Sequence, residues 1–144
     1  MKTRILVLSI ILMSLLALTH VVNAQDDRYT TAMKSAIDLM DQASTPAEFT
    51  ECANRFERIA SAEKTRWLPY YYASYSLVVM SFDEEDGGQR DLVLDRAQEL
   101  LDHALELDPD DSRALARRGE IYRLMRRDEE ALRDLDRALE LAPG

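Results

Sequence analysis

Ala104-Leu105-Glu106-Leu107-Asp108-Pro109 recurs as Ala138-Leu139-Glu140-Leu141-Ala142-Pro143, displaced by 34 residues. The same displacement carries Ala97 to Ala131 and Leu101 to Leu135. Ala97, Leu101, Ala104 and Leu105, like Ala131, Leu135, Ala138 and Leu139, fall three and four apart, which puts them on one face of a helix. The proline after each copy marks a place where that helix cannot continue. A self-match at a period of a few tens of residues means that one unit cannot bury its apolar face alone and that stacked neighbours complete the core.

Working outward from that match divides the chain into six helices. Asp108-Pro109-Asp110-Asp111-Ser112 breaks the fourth helix, and Asp111 or Ser112 can cap a fifth over Arg113–Met125, followed by a sixth over Asp128–Leu141. The fourth carries Leu92, Leu94, Ala97, Leu100, Leu101, Ala104 and Leu105. Ahead of it the polar run Asp83 to Arg90, with Gly87-Gly88 inside, is predicted as a solvated loop. Trp67 and Pro69 open a third helix that holds Tyr70, Tyr71, Tyr72 and Tyr75 and ends near Phe82. Ser44-Thr45-Pro46-Ala47-Glu48 stops the first helix and starts the second: Thr45 can cap, Pro46 suits the first helical position, and Glu48 stands three residues after the cap. The first helix runs from about Asp27 to Ala43 on Met33, Ala36, Ile37 and Met40. No segment alternates with period two for long enough to be a strand. The predicted fold is all-α, about three antiparallel hairpins at residues 27–62, 67–107 and 112–141 within a domain over 25–144.

In the last unit Leu115, Gly119, Tyr122, Ala131, Leu135, Ala138 and Pro143 resemble the tetratricopeptide repeat pattern at its spacings. Gly119 occupies the position where only a small side chain lets the two helices of a hairpin approach, and Ala131 and Ala138 serve the same packing from the second helix. The middle unit offers Ser74 or Ala73 at that position, with Ala97, Leu101, Ala104 and Pro109 after it, across an interval about eleven residues longer. The first unit has the two-helix shape, with Met40 where the small residue is expected. The last unit departs from the pattern at Arg118, where a leucine is expected, and at Arg126, where a turn glycine is expected. The chain thus looks like a tetratricopeptide repeat protein of the exported bacterial type, and the resemblance implies a superhelix that binds protein or peptide on its concave side.

The export reading comes from residues 1–24. Lys2 and Arg4 precede an apolar run from Ile5 to Leu18, and Val22-Asn23-Ala24 supplies small or aliphatic residues at a cleavage site. That run is short against the roughly 20 residues needed to span a bilayer, so a cleaved signal peptide is favoured over a retained anchor. With Lys2 and Arg4 removed, the remaining 120 residues carry a net charge of −11 and are expected to be periplasmic or secreted. A charge of that sign and size argues against nucleic acid and anionic lipid as partners, and no stable membrane anchor is expected after cleavage.

The first helix of each pair lines the concave surface in this family. Its residues here are Lys34, Ile37 and Asp41, then Leu68, Tyr71, Tyr75 and Val78, then Arg113, Ala116, Glu120 and Arg123. Tyrosines give rigid contact area at small entropic cost, so Tyr71 and Tyr75 are candidate ligand contacts. The competing reading makes the aromatic run core, yet four tyrosines within residues 70–75 cannot all face inward on one helix. Arg113 and Arg117, one turn apart, suit an acidic or C-terminal ligand. The alternative is a solvated face paired with Glu120, Asp128, Glu129 and Glu130.

Catalysis, cofactors and metals find no support in the sequence. Cys52 lies on an apolar helix face and reads as a buried thiol, and His103 reads as solvated. Asp83-Glu84-Glu85-Asp86-Gly87 lacks the alternate ligand positions of a calcium loop. No polar-faced helix is expected to shield the C-terminal hairpin, so either it tolerates exposure, its outer side carrying Arg133, Asp134 and Arg137, or it packs against a second chain; that self-association, as in a homodimer, is the second functional expectation.

Overall fold

The computed structural model describes residues 25–142, which form six helices and no strand. Helix α1 covers residues 25–42, α2 is Pro46–Ala62, α3 Leu68–Ser81, α4 Gly87–Leu107, α5 Ser112–Leu124 and α6 Asp128–Leu141. The signal peptide expected over 1–24 and Pro143 of the repeat pattern lie outside the described residues.

The helix starts follow from local chemistry. At α2, Glu48 N–H donates to Thr45 Oγ1 at 3.3 Å while Thr45 N–H donates back to Glu48 Oε2 at 3.0 Å, a reciprocal capping box with Pro46 just inside it. At α5, Asp111 is the cap, accepting from the N–H groups of Arg113 and Ala114 at 3.1 and 2.9 Å. The predicted loop Asp83–Arg90 is shorter than expected, because α4 begins at Gly87. Asp86 accepts from Gln89 N–H at 2.9 Å, and that cap recruits the two glycines and Arg90 into the first turn. A Cβ on Gly88 would stand 3.2 Å from the capping Asp86 Oδ1, so the glycine leaves the cap room.

Helix α5 ends in a paired turn. Arg126 N–H bonds to Arg123 C=O at 3.1 Å and Arg127 N–H to Tyr122 C=O at 2.7 Å, with Arg126 at φ 59°. This is the Schellman arrangement, whose left-handed residue is usually glycine. The arginine at the expected glycine position therefore keeps the glycine's backbone conformation.

Packing turns the helices into a ladder. Helix α3 lies against both α2 and α4, α4 against α5, α5 against α6, and α3 touches α5. The core runs the length of the array through Met33 and Ala36, Cys52 and Phe56, Ala73 and Leu77, Leu94, Ala97 and Leu101, Ala114 and Ile121, and Ala138. Phe56, Leu77, Leu94, Leu101 and Ile121 are wholly buried, each contributing roughly 1.5–3 kcal/mol of transfer free energy. In α1 the sealed small residue is Ala36, and Met40 is only partly buried.

The repeat pattern has a common physical basis in the last two hairpins. A Cβ on Gly119 would meet Leu135 Cγ at 2.8 Å and the Ala131 carbonyl oxygen at 3.2 Å. In the preceding hairpin the matching residue is Ser74, and its hydroxyl donates to the Ala97 carbonyl at 2.8 Å. Ala97 and Ala131 are related by the 34-residue displacement. Each first helix therefore approaches the same carbonyl of its second helix, once with a hydrogen bond and once with no side chain at all.

Candidate docking face

Trp67, the N-cap of α3, and Tyr71 and Tyr75 within it stand four residues apart, a single stripe along its side. Helix α5 presents Arg113 and Arg117 at the same spacing. The two stripes meet: the Arg113 guanidinium carbon lies 4.7 Å from the Trp67 ring centroid, and that of Arg117 lies 4.6 Å from the Tyr75 centroid. Such stacks are worth about 0.5–1 kcal/mol when exposed and more when desolvated. Tyr71 stands between them, edge-on to Trp67 at 5.9 Å and to Tyr72 at 5.4 Å.

The four tyrosines of α3 divide by direction. Tyr72 stacks on Phe56 of α2 at 5.2 Å, and Tyr70 tilts against His103 of α4 at 5.7 Å. Tyr71 is partly buried against the core, whereas Tyr75 stands off the core under Arg117. Leu68 also packs partly into the core, and Val78, expected on the concave face, is buried. Val78 is therefore a core residue, because its position on the helix turns it between the hairpins.

On α5, Arg113 is exposed and its hydrogen bond from Nη2 to Asp111 at 3.0 Å holds its guanidinium above the ordinary value. Arg117 donates from Nη1 to Glu120, while its Nε has no acceptor among the described residues. Both Arg117 and Glu120 are half-buried, and Arg123 is exposed one turn further on. Of the α1 residues, Lys34 and Asp41 are exposed and Ile37 packs partly on the core.

Two features escaped the sequence reading. Trp67 belongs to the aromatic stripe, and its spacing of four from Tyr71 and Tyr75 was the available signal. The second is a charged network between hairpins. Arg118 donates to Asp134 of α6 at 2.6 and 3.1 Å and to Asp102 of α4 at 2.8 Å. Burial works against the Arg118 charge, and the bonds to Asp134 and Asp102 outweigh it, so the guanidinium sits above its ordinary value. Arg127 extends the network to Gln98 and Glu130 and lies 4.5 Å over the buried Tyr122 ring. Asp134, expected on the outer surface with Arg133 and Arg137, is only 6% exposed. It is drawn inward by the arginine that replaces the expected leucine.

Cys52 is buried, and burial, reinforced by Glu51 and Glu48, pushes its thiol up from the ordinary value. His103 is exposed and paired with Glu106 at 3.2 Å. Among the described residues no group of three His, Cys, Asp or Glu side chains is placed to hold a metal ion. No helix among them is long and apolar enough to cross a membrane.

Residues 112–144 match the tetratricopeptide repeat family. The second TPR of Spaghetti (RPAP3), solved bound to the HSP90 peptide SRMEEVD, superposes with a TM-score of 0.67 at 16% identity, over 83% of this chain and 99% of that one. A point mutant of MamA superposes at 0.63 with 19% identity, over 82% of this chain and 75% of that one. No curated protein is significantly similar to the chain in sequence. Residues 112–144 therefore carry a tetratricopeptide repeat, and the hairpins before them share the fold of these tetratricopeptide repeat structures.

Proposed function

We propose that the chain is a non-enzymatic scaffold of the cell envelope that docks a protein or peptide on the face formed by α3 and α5. One observation carries the reading: two arginine–aromatic stacks, Trp67–Arg113 and Tyr75–Arg117, frame Tyr71 on one side of the ladder. Rigid aromatic and arginine side chains are the residue types that dominate binding energy at protein interfaces. The same fold holds a peptide in the RPAP3 structure. Arg113, Arg117 and Arg123 outnumber Glu120 on this stretch, which favours an acidic segment as ligand. The envelope location rests on the charged, apolar and small-residue order of residues 1–24.

The test is binding of fluorescent peptides, acidic and basic, each with a free or amidated C-terminus, together with capture from an envelope extract. Tyr71→Ala combined with Tyr75→Ala is expected to abolish both while leaving helical circular dichroism intact. Unaltered binding by that folded variant would sink the assignment. A second reading, self-association through the C-terminal hairpin, is supported by Leu132 and Leu139 of α6, which are 62% and 75% exposed.

A further inference from the structure

We propose that two copies of this chain associate head to tail, the α5–α6 end of one seated against the α1–α2 end of the next. The proposal rests on the self-association reading and adds the surface that receives the hairpin.

The repeat itself shows what the α5–α6 end is shaped to meet. Leu135, Ala138 and Leu139 are the 34-residue counterparts of Leu101, Ala104 and Leu105. Inside the array, where α5 packs on α4, those counterparts are 0, 0 and 7% exposed, whereas Leu139 is 75% exposed. A groove of about 470 Å³ runs between α5 and α6 over Ala116, Leu135, Ala138, Leu139 and Ala142, with Arg113 at its α5 side. Along its α6 edge lies the stripe Asp128, Leu132, Asp136, Leu139, and neither aspartate forms an ion pair among the described residues.

The opposite end of the ladder offers an apolar groove with an excess of positive charge. Between α1 and α2 a groove of about 490 Å³ has Ala32, Ile59 and Ala62 on its floor and Arg28, Arg55 and Arg58 on its rim, three guanidiniums against the single carboxylate of Glu63. Arg55 is bonded to the Ser35 hydroxyl at 3.0 Å, and Arg58 makes only an exposed pair with Glu51 at 3.2 Å. Three guanidiniums around an apolar floor are unusual in a chain of net charge −9. Leu132 and Leu139 fit that floor while Asp128 and Asp136 meet the arginines. Because the two patches differ, the contact is heterologous and can repeat, so assembly grows with concentration rather than stopping at a pair.

Sedimentation velocity across a hundredfold concentration range tests this on the purified protein and two variants. Leu139→Lys blocks one end and Arg28→Glu with Arg58→Glu blocks the other; these side chains are exposed, and circular dichroism checks the fold. The parent is expected to gain mass with concentration and each variant to stay at the mass of one chain. An equimolar mixture of the two variants is expected to form a two-chain complex, because one intact end of each remains. A parent that is a monomer throughout overturns both this proposal and self-association. If the double arginine variant assembles like the parent, association through the hairpin stands and the head-to-tail arrangement falls. A mixture that stays at one chain's mass also overturns the proposal.

Discussion

Arg118 of α5 grips Asp134 of α6 through a fork, Nε to Oδ2 at 2.6 Å and Nη2 to Oδ1 at 3.1 Å, and its remaining nitrogen reaches Asp102 of α4. A well-bonded buried pair adds little beyond an apolar pair of similar volume, but breaking one side strands a charge. Arg118→Ala is therefore expected to cost about 2–4 kcal/mol, since it leaves the buried Asp134 carboxylate without a counter-ion. Arg118→Leu with Asp134→Ala should return to within about 1 kcal/mol of the parent, because neither charge is left to compensate. Urea denaturation of the single and double variants measures the coupling. Strictly additive losses would show that the network carries no cooperative energy.

Gly119 is constrained by contact rather than by backbone conformation. Leu135 Cγ and the Ala131 carbonyl already occupy the space around a Cβ at this position. Gly119→Val forces α5 and α6 apart and is expected to destabilise by about 2–3 kcal/mol, the range of overpacked cores. The compensating change Leu135→Ala should recover part of the loss, because it removes the nearest atom. Thermal melts of the three variants decide it, and an unchanged midpoint for Gly119→Val would show that the helix pair is loosely held.

Arg126 is a side chain in a glycine's conformation. Its φ of 59° costs an L-residue roughly 1–2 kcal/mol, partly offset by glycine's larger entropy when unfolded. Arg126→Gly is thus expected to raise stability by about 0.5–1 kcal/mol. Arg126→Val, β-branched, should lower stability relative to the parent. A lower melting midpoint for the glycine variant would point to a contact of the Arg126 side chain that outweighs the strain.

The parts of this fold that are legible in sequence are those where one packing problem is solved twice. Ala97 with Ala131, and Leu101 with Leu135, recur because two hairpins must close at the same distance, and the 34-residue period displays it. Caps are equally legible, since Thr45 and Glu48 act over three residues of chain. Asp134 was not legible. Its neighbours Arg133 and Asp136 are exposed, and nothing local tells a reader that an arginine 16 residues upstream turns one carboxylate inward. The α4 start was hidden for the opposite reason, because Gly87 and Gly88 have loop propensity and a single carboxylate at Asp86 overrides it. At the proposed docking face the tyrosine count required some rings to leave the core, but only coordinates show that Tyr75 leaves it toward Arg117 while Tyr72 stays with Phe56.

The capping box also makes a prediction about pH. Glu48 accepts from Ser44 N–H at 2.8 Å and Thr45 N–H at 3.0 Å. These bonds, led by the one from Ser44, hold its carboxyl below the ordinary value of 4.5. A carboxylate depressed in the folded state binds its proton more readily when unfolded, so its contribution is complete above the ordinary value. That contribution fades as pH falls through the depressed one. Glu48→Gln keeps an acceptor for the same donors but does not titrate. The parent is therefore expected to exceed the glutamine variant in stability at neutral pH, and the difference should shrink steadily on acidification below the ordinary carboxylate range. Melting midpoints of both proteins from pH 7 to pH 3 test it. A gap that stays constant over that range would mean that the Glu48 charge adds nothing to the start of α2.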